Sequence, residues 1–149
     1  MTDIALAWSN VTMSADISLA GVDLQTDEGM ETAVIISLFT DKRAPDDAVI
    51  PDGSTNRRGW WGDVVAEVPG DEIGSLLWLL ERVTLTAENM RLAQDYASDA
   101  LAWFVTDGVA KSVTVTVTRM SLEAALMTIV ILKPDGNTGT YTYVWTPQQ

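Results

Sequence analysis

Val113-Thr114-Val115-Thr116-Val117-Thr118 decides the fold. Apolar and polar residues alternate there without a break, and a period of two marks a strand with one face buried. Towards the C-terminus, Arg119 to Ser121 reads as a turn and Thr128-Ile129-Val130-Ile131-Leu132 as a second strand. Pro134-Asp135-Gly136-Asn137 carries the turn chemistry of a hairpin. Thr140, Thr142 and Val144 then alternate with Tyr141, Tyr143 and Trp145, completing a three-stranded antiparallel meander over residues 109-146. The middle strand is apolar on both faces, which predicts a cover on each.

Towards the N-terminus the period changes to that of helices. From about Thr86 to Thr106, Met90, Ala93, Ala97, Ala100, Leu101 and Phe104 share one face, with Leu92, Tyr96 and Trp103 beside them. Asp107-Gly108 ends this helix. Before it, Gly70-Asp71 opens a further predicted helix, in which Ile73, Leu76, Leu77 and Leu80 fall at i, i+3, i+4 and i+7. Trp78 and Trp103 read most simply as core. Another helix is predicted from Thr26 or Asp27, with Glu28 and Glu31 in its first turn and Met30, Ala33, Val34, Ser37 and Leu38 facing inward. It closes at Thr40-Asp41-Lys42-Arg43-Ala44-Pro45, because a residue before proline avoids helical geometry. Ile4, Leu6 and Trp8 form a short extended piece, Asn10 to Ala15 a turn, and Ile17, Leu19, Val22 and Leu24 a second piece broken by Gly21. The expected class is therefore α+β: about three helices packed on a small C-terminal three-stranded antiparallel meander, with short N-terminal strands. One domain spans 1-149, with an extended segment over 1-25, a helical part over 26-106 that contains a loop at 44-70, and the sheet over 109-146.

Composition excludes several functions. There are 21 acidic residues against 9 basic ones, a net charge of -12, so polyanions such as nucleic acid and anionic membrane are poor partners. Neither cysteine nor histidine occurs, which removes disulfides, thiol nucleophiles, imidazole bases and the usual zinc ligands. No phosphate loop or dinucleotide fingerprint is present, so no cofactor is expected. Met1-Thr2-Asp3-Ile4 lacks the basic segment and apolar run of a signal peptide, and the expectation is a soluble protein made in the cytoplasm.

The loop at 44-70 ends on Arg57-Arg58-Gly59-Trp60-Trp61-Gly62-Asp63. Adjacent residues of an extended segment face opposite ways, so one indole is expected to anchor the loop while the other reaches outward. Glycines at 59 and 62 permit a sharp bend, and Arg57 and Arg58 are able to stack on rings or fork onto carboxylates. A rigid turn with a buried aromatic plug is the plain reading. Arginine and tryptophan are also the anchors that dominate protein interfaces, which favours contact with another chain.

With neither histidine nor cysteine, a catalyst would need carboxylates, lysine, tyrosine or serine. Glu67, Asp71 and Glu72 lie near the tryptophans and are the best candidates for the paired carboxylates of a glycosidase or peptidoglycan hydrolase, although solvated surface and helix-start charges explain them more simply. Asp46, Asp47 and Asp52 lack the spacing of a calcium loop. A glycan- or small-ligand-binding module using the tryptophan loop is a further alternative.

Five blocks stand in one order and spacing: Glu31-Thr32-Ala33-Val34, Ser37-Leu38-Phe39-Thr40-Asp41-Lys42-Arg43-Ala44, Arg58-Gly59-Trp60-Trp61-Gly62-Asp63, Gly74-Ser75-Leu76-Leu77-Trp78-Leu79-Leu80-Glu81-Arg82 and Asp107-Gly108-Val109-Ala110. Together they resemble the gene-product-forty-six family of phage Mu-type tail baseplate proteins, over nearly the whole chain. The resemblance implies a structural, non-enzymatic subunit of a contractile phage tail baseplate, located in the virion and assembled in the host bacterial cytoplasm. It further implies kinship with the T4-type wedge protein that starts the sheath, six copies around tube and hub, and a sheet edge that accepts a neighbour's strand. On that reading the partner-binding residues are Asp41, Lys42, Arg43, Arg57, Arg58, Trp60, Trp61 and Asp63, and the partners are other wedge and hub proteins, with tail tube and sheath nearby.

Overall fold

The computed structural model describes residues 3-17, 19-20, 23-24, 26-27 and 29-147, with backbone alone for residue 3 and for those between 19 and 27. The readings placed on Met1, Thr2, Gly21, Val22 and Glu28 lie outside the described residues. The chain begins with short antiparallel ladders: β1 (Asp3–Ile4) pairs with β6 (Thr26–Asp27), β2 (Leu6–Ser9) with β3 (Ser14–Ile17), and β4 (Leu19–Ala20) with β5 (Asp23–Leu24). Helix α1 follows at Met30–Phe39, then a long irregular stretch, α2 (Ala87–Leu101), the single turn α3 (Trp103–Thr106), and β7 (Ser112–Arg119), β8 (Ala125–Leu132) and β9 (Thr138–Trp145).

The meander forms where the alternation places it, in the order β7-β8-β9 and antiparallel throughout. Val115 pairs with Ile129, which pairs with Tyr141; Val117 pairs with Met127, which pairs with Tyr143. One face carries Val115, Met127, Ile129, Ile131, Tyr143 and Trp145 into the core, where they meet Val34, Ile35 and Leu38 of α1 and Ala93, Ala97 and Leu101 of α2. The expected cover on the second face is corrected: Val130 is exposed at 36%, and its cross-strand neighbours Thr114 and Thr140 are exposed as well. Each outer strand has one edge N–H taken by a side chain. Gln94 Oε1 accepts from Val117 N–H at 3.3 Å, and Asn10 Oδ1 accepts from Val144 N–H at 3.0 Å.

The expectation of about three helices on a three-stranded meander is overturned. Among the described residues two helices exceed one turn and five strands reach four residues, the latter in two antiparallel sheets, so the class is a strand-rich α+β fold. The predicted helix opening at Gly70-Asp71 does not form. Gly74 has φ 103, and a Cβ there would lie 2.3 Å from the Thr40 carbonyl oxygen. Its neighbour Ser75 instead joins residues 40-42 in extended pairing: Ser75 N–H donates to Thr40 O at 2.9 Å, and Lys42 N–H donates to Ser75 O at 3.0 Å. Only Leu77–Leu80 coils, as a 3-10 turn, and Arg82 at φ 65 ends the segment. Leu77 and Leu80 are buried as their spacing demanded, but tertiary hydrogen bonds displaced helix propensity. Helix α1 starts later than expected, after Gly29 at φ 81, because Thr26–Asp27 pairs with Asp3–Ile4. The long predicted helix forms with Thr86 as its cap, accepting from Asn89 N–H at 3.1 Å, and is interrupted at Ala102.

Candidate functional site

The loop predicted at 44-70 is irregular apart from a 3-10 turn at Trp61–Val65, and it is fastened to the body from behind. Ala44 N–H donates to Arg57 O at 2.9 Å, and the Trp78 indole N–H donates to Lys42 O at 2.8 Å. Trp78, Ala44 and Ile50 make a small satellite core under the loop. The Arg57 guanidinium donates to the carbonyls of Pro45, Asp46 and Ala48, and so closes that turn. Arg58 adopts φ 51 and Gly59 φ 104, two consecutive left-handed residues that swing the chain outward. A Cβ on Gly59 would lie 2.9 Å from the Cβ of Arg43, so only glycine lets the strands approach this closely.

Arg58 is the clamp. Its guanidinium forks onto Glu81 at 2.8 and 2.8 Å, reaches Asp41 at 2.9 Å, and lies 4.5 Å from the centroid of Trp78. Donating to Glu81, more than to Asp41, raises its already high proton affinity against the opposing effect of burial. Arg57 and Arg58 are thus both engaged within the chain, together with Asp41. Lys42 pairs with Glu72 at 3.5 Å, while Arg43 is exposed and has no ion pair among the described residues.

Beyond the clamp the two indoles sit side by side. The expected opposite orientation does not occur, because the chain turns into the 3-10 geometry at Trp61 instead of staying extended. The rings lie 5.3 Å apart, tilted by 45°. Trp60 folds over Gly62, where a Cβ would fall 2.1 Å from the ring, and remains 43% exposed. Trp61 is 77% exposed, and Val64, Val65 and Val68 extend the uncovered apolar surface. Both rings are thus exposed: Trp60 packs over the turn's own Gly62, and Trp61 is the less covered of the two.

Asp63 closes the turn. Its Oδ1 accepts from Ile73 N–H at 3.1 Å, whereas its Oδ2 is buried with no partner among the described residues. Beside it opens a groove of about 680 Å³ with Ala33, Ile36 and Ala100 on its surface and Trp61 and Trp103 at its sides. Asp63, Asp71, Glu72 and Asp107 also line it. Trp103, read as core from the sequence, is 39% exposed and donates its indole N–H to Ser37 Oγ at 3.0 Å. Its place one residue before the buried Phe104, off the Ala97–Leu101 stripe, was the available signal.

Other predicted acids find ordinary roles. Glu67, Asp71 and Glu72 are exposed to solvent. Asp46 faces Arg57 at 3.8 Å, and Asp52 accepts from Ser54 N–H at 2.9 Å; the Ser54 hydroxyl and then this N–H lower its pKa. Among the described residues no three acidic side chains gather as a metal site requires.

Two relatives match nearly end to end. The "Baseplate protein gp46" of Escherichia phage Mu is 41% identical over 143 residues, 96% of this chain and 95% of that protein. The "Mu-like prophage FluMu protein gp46" of Haemophilus influenzae is 40% identical over 143 residues, 96% of each. The model of the family described as Phage protein GP46 matches residues 30–138, which contain the clamp, the paired indoles and the groove. The resemblance carried by the five sequence blocks is borne out, and the chain belongs to the Phage protein GP46 family.

Proposed function

We propose that this chain is a structural subunit of a phage tail baseplate that works by fitting between other subunits. It acts as a wedge protein near the hub of a contractile tail, in six copies around the tube, and helps to start the sheath. The host cytoplasm is where it joins its neighbours. The observation that carries this reading is the pair of exposed indoles on a turn that Arg58 and Arg57 hold rigid from inside. A pre-ordered aromatic anchor loses little entropy on binding, and such anchors supply most of the energy of a protein interface. Trp60, Trp61 and Asp63 form the contacting tip. Arg43 and Lys42 flank it, and Asp41, Arg57 and Arg58 set its shape. The name of the phage Mu relative, a baseplate protein, supports the setting. Glu67, Asp71 and Glu72 stand in open solvent, Glu72 beside Lys42, so the arrangement favours no hydrolytic reading.

The test uses tails assembled in cells whose copy of this gene is deleted, to which purified full-length protein is added. Trp61→Ala should keep the far-ultraviolet spectrum and melting temperature of the parent, since the ring is mostly uncovered. It should lose at least about tenfold in incorporation, equivalent to truncating one interface anchor. Incorporation equal to the parent's would refute the role given to the loop.

A further inference from the structure

We infer that the groove between α1, the Trp60–Asp63 turn and Trp103 binds a segment of a neighbouring protein that presents an apolar side chain flanked by lysine or arginine. This deepens the interface reading above and rests on it. Three observations converge on that occupant. First, α1 is apolar nearly all round, with Glu31, Thr32 and Ser37 its polar residues. Val34, Ile35 and Leu38 enter the core, while Ala33 and Ile36 lie along the groove, and a helix of that kind is normally covered all round. With Ala100 and the two indoles, these residues offer an apolar slot open to a side chain. The exposed Val64, Val65 and Val68 beyond it indicate a partner larger than a small molecule.

Second, four carboxylates line the slot, and among the described residues the one cation paired to them is Lys42, on Glu72. Asp63, Asp71 and Asp107 have no ion pair among the described residues. An apolar seat with such a rim selects a cationic neighbour and repels an acidic one, including a second copy of this chain with its net charge of -12. Third, Asp63 on the groove wall keeps its Oδ2 buried without a donor among the described residues, so its carboxylate is incompletely compensated and favours a cation beside it.

The experiment uses the same tails lacking this chain and compares three full-length proteins: the parent, Asp71→Asn with Asp107→Asn, and Asp71→Lys with Asp107→Lys. Both positions are exposed and free of ion pairs among the described residues, so the variants should fold as the parent does, which circular dichroism checks. The lysine variant should lose at least about tenfold in incorporation at low ionic strength, and the asparagine variant should flatten the salt dependence seen with the parent. Equal incorporation of all three proteins, or a gain by the lysine variant, overturns the cationic occupant. If Trp61→Ala fails to join while the lysine variant joins normally, the groove assignment falls and the loop reading stands. If both join normally, both fall. Concentration-dependent dimerisation of the free parent that Trp103→Ala abolishes would make a second copy the occupant and also overturn the inference.

Discussion

At the scale of residues, the arginines of the tryptophan loop turn inward. Two guanidiniums beside two indoles look from the sequence like one adhesive patch, and composition cannot say which way each side chain faces. The deciding features are distant in sequence: Glu81 and Asp41 converge on Arg58, and the face of Trp78 lies beneath it. Truncating Arg58 to alanine therefore removes three charge-assisted hydrogen bonds and leaves two carboxylates facing each other. The side chain is 29% exposed, so water screens part of this effect, and we expect a loss of about 2 kcal/mol in urea unfolding. Arg58→Lys keeps the charge without the fork and should recover less than half of it. An Arg58→Ala variant as stable as the parent would show that the cluster does not hold the loop.

At the scale of elements, what was local was legible and what was tertiary was not. The alternation of Val113 to Thr118 and the turn at Pro134 to Asn137 depend on neighbours a few residues away, and the meander stands where they put it. Ile73 to Leu80 has a helical spacing, yet the carbonyl of Thr40 occupies the space that a Cβ at Gly74 would need, and no local pattern reports that contact. The bend of the tryptophan loop is legible in its glycines, but which of the two indoles is the more exposed depends on the 3-10 turn at Trp61–Val65, which the sequence does not report. Trp103 was missed because its exposure depends on where α1 lies. The junction of α1, β2 and β9 is another tertiary product. Trp8 stacks on Phe39 at 3.7 Å, and both meet Tyr143 edge-on at 6.1 and 5.5 Å. The Tyr143 hydroxyl is buried with no partner among the described residues, and burial, more than the nearby Glu31, raises its pKa above the ordinary value of 10.0. A folded-state pKa above the unfolded one gives a contribution that is fully present below about pH 10 and is lost as pH rises towards the folded value. Tyr143→Phe should leave stability at neutral pH unchanged or raise it by up to about 1 kcal/mol, and should shift alkaline unfolding to higher pH. A clear loss at neutral pH would mean that the hydroxyl has a partner.

At the scale of the whole molecule, polar closure and apolar opening are segregated. The sheet edges are partly blunted by Gln94 and Asn10, which disfavours uncontrolled strand pairing. The aromatic junction packs on one flank of α1, beside a cleft of about 480 Å³, whereas the groove and the paired indoles leave another flank uncovered. An acidic chain that keeps tryptophan and valine in the open is poorly matched to a solitary life and well matched to a place between subunits. The most direct measurement is a high-resolution density map of the assembled tail containing this chain. In that map Trp61 should be covered by another subunit, with a lysine or arginine of that subunit near Asp63 or Asp71. A map in which the Trp60–Asp63 turn faces open solvent and touches nothing would contradict it.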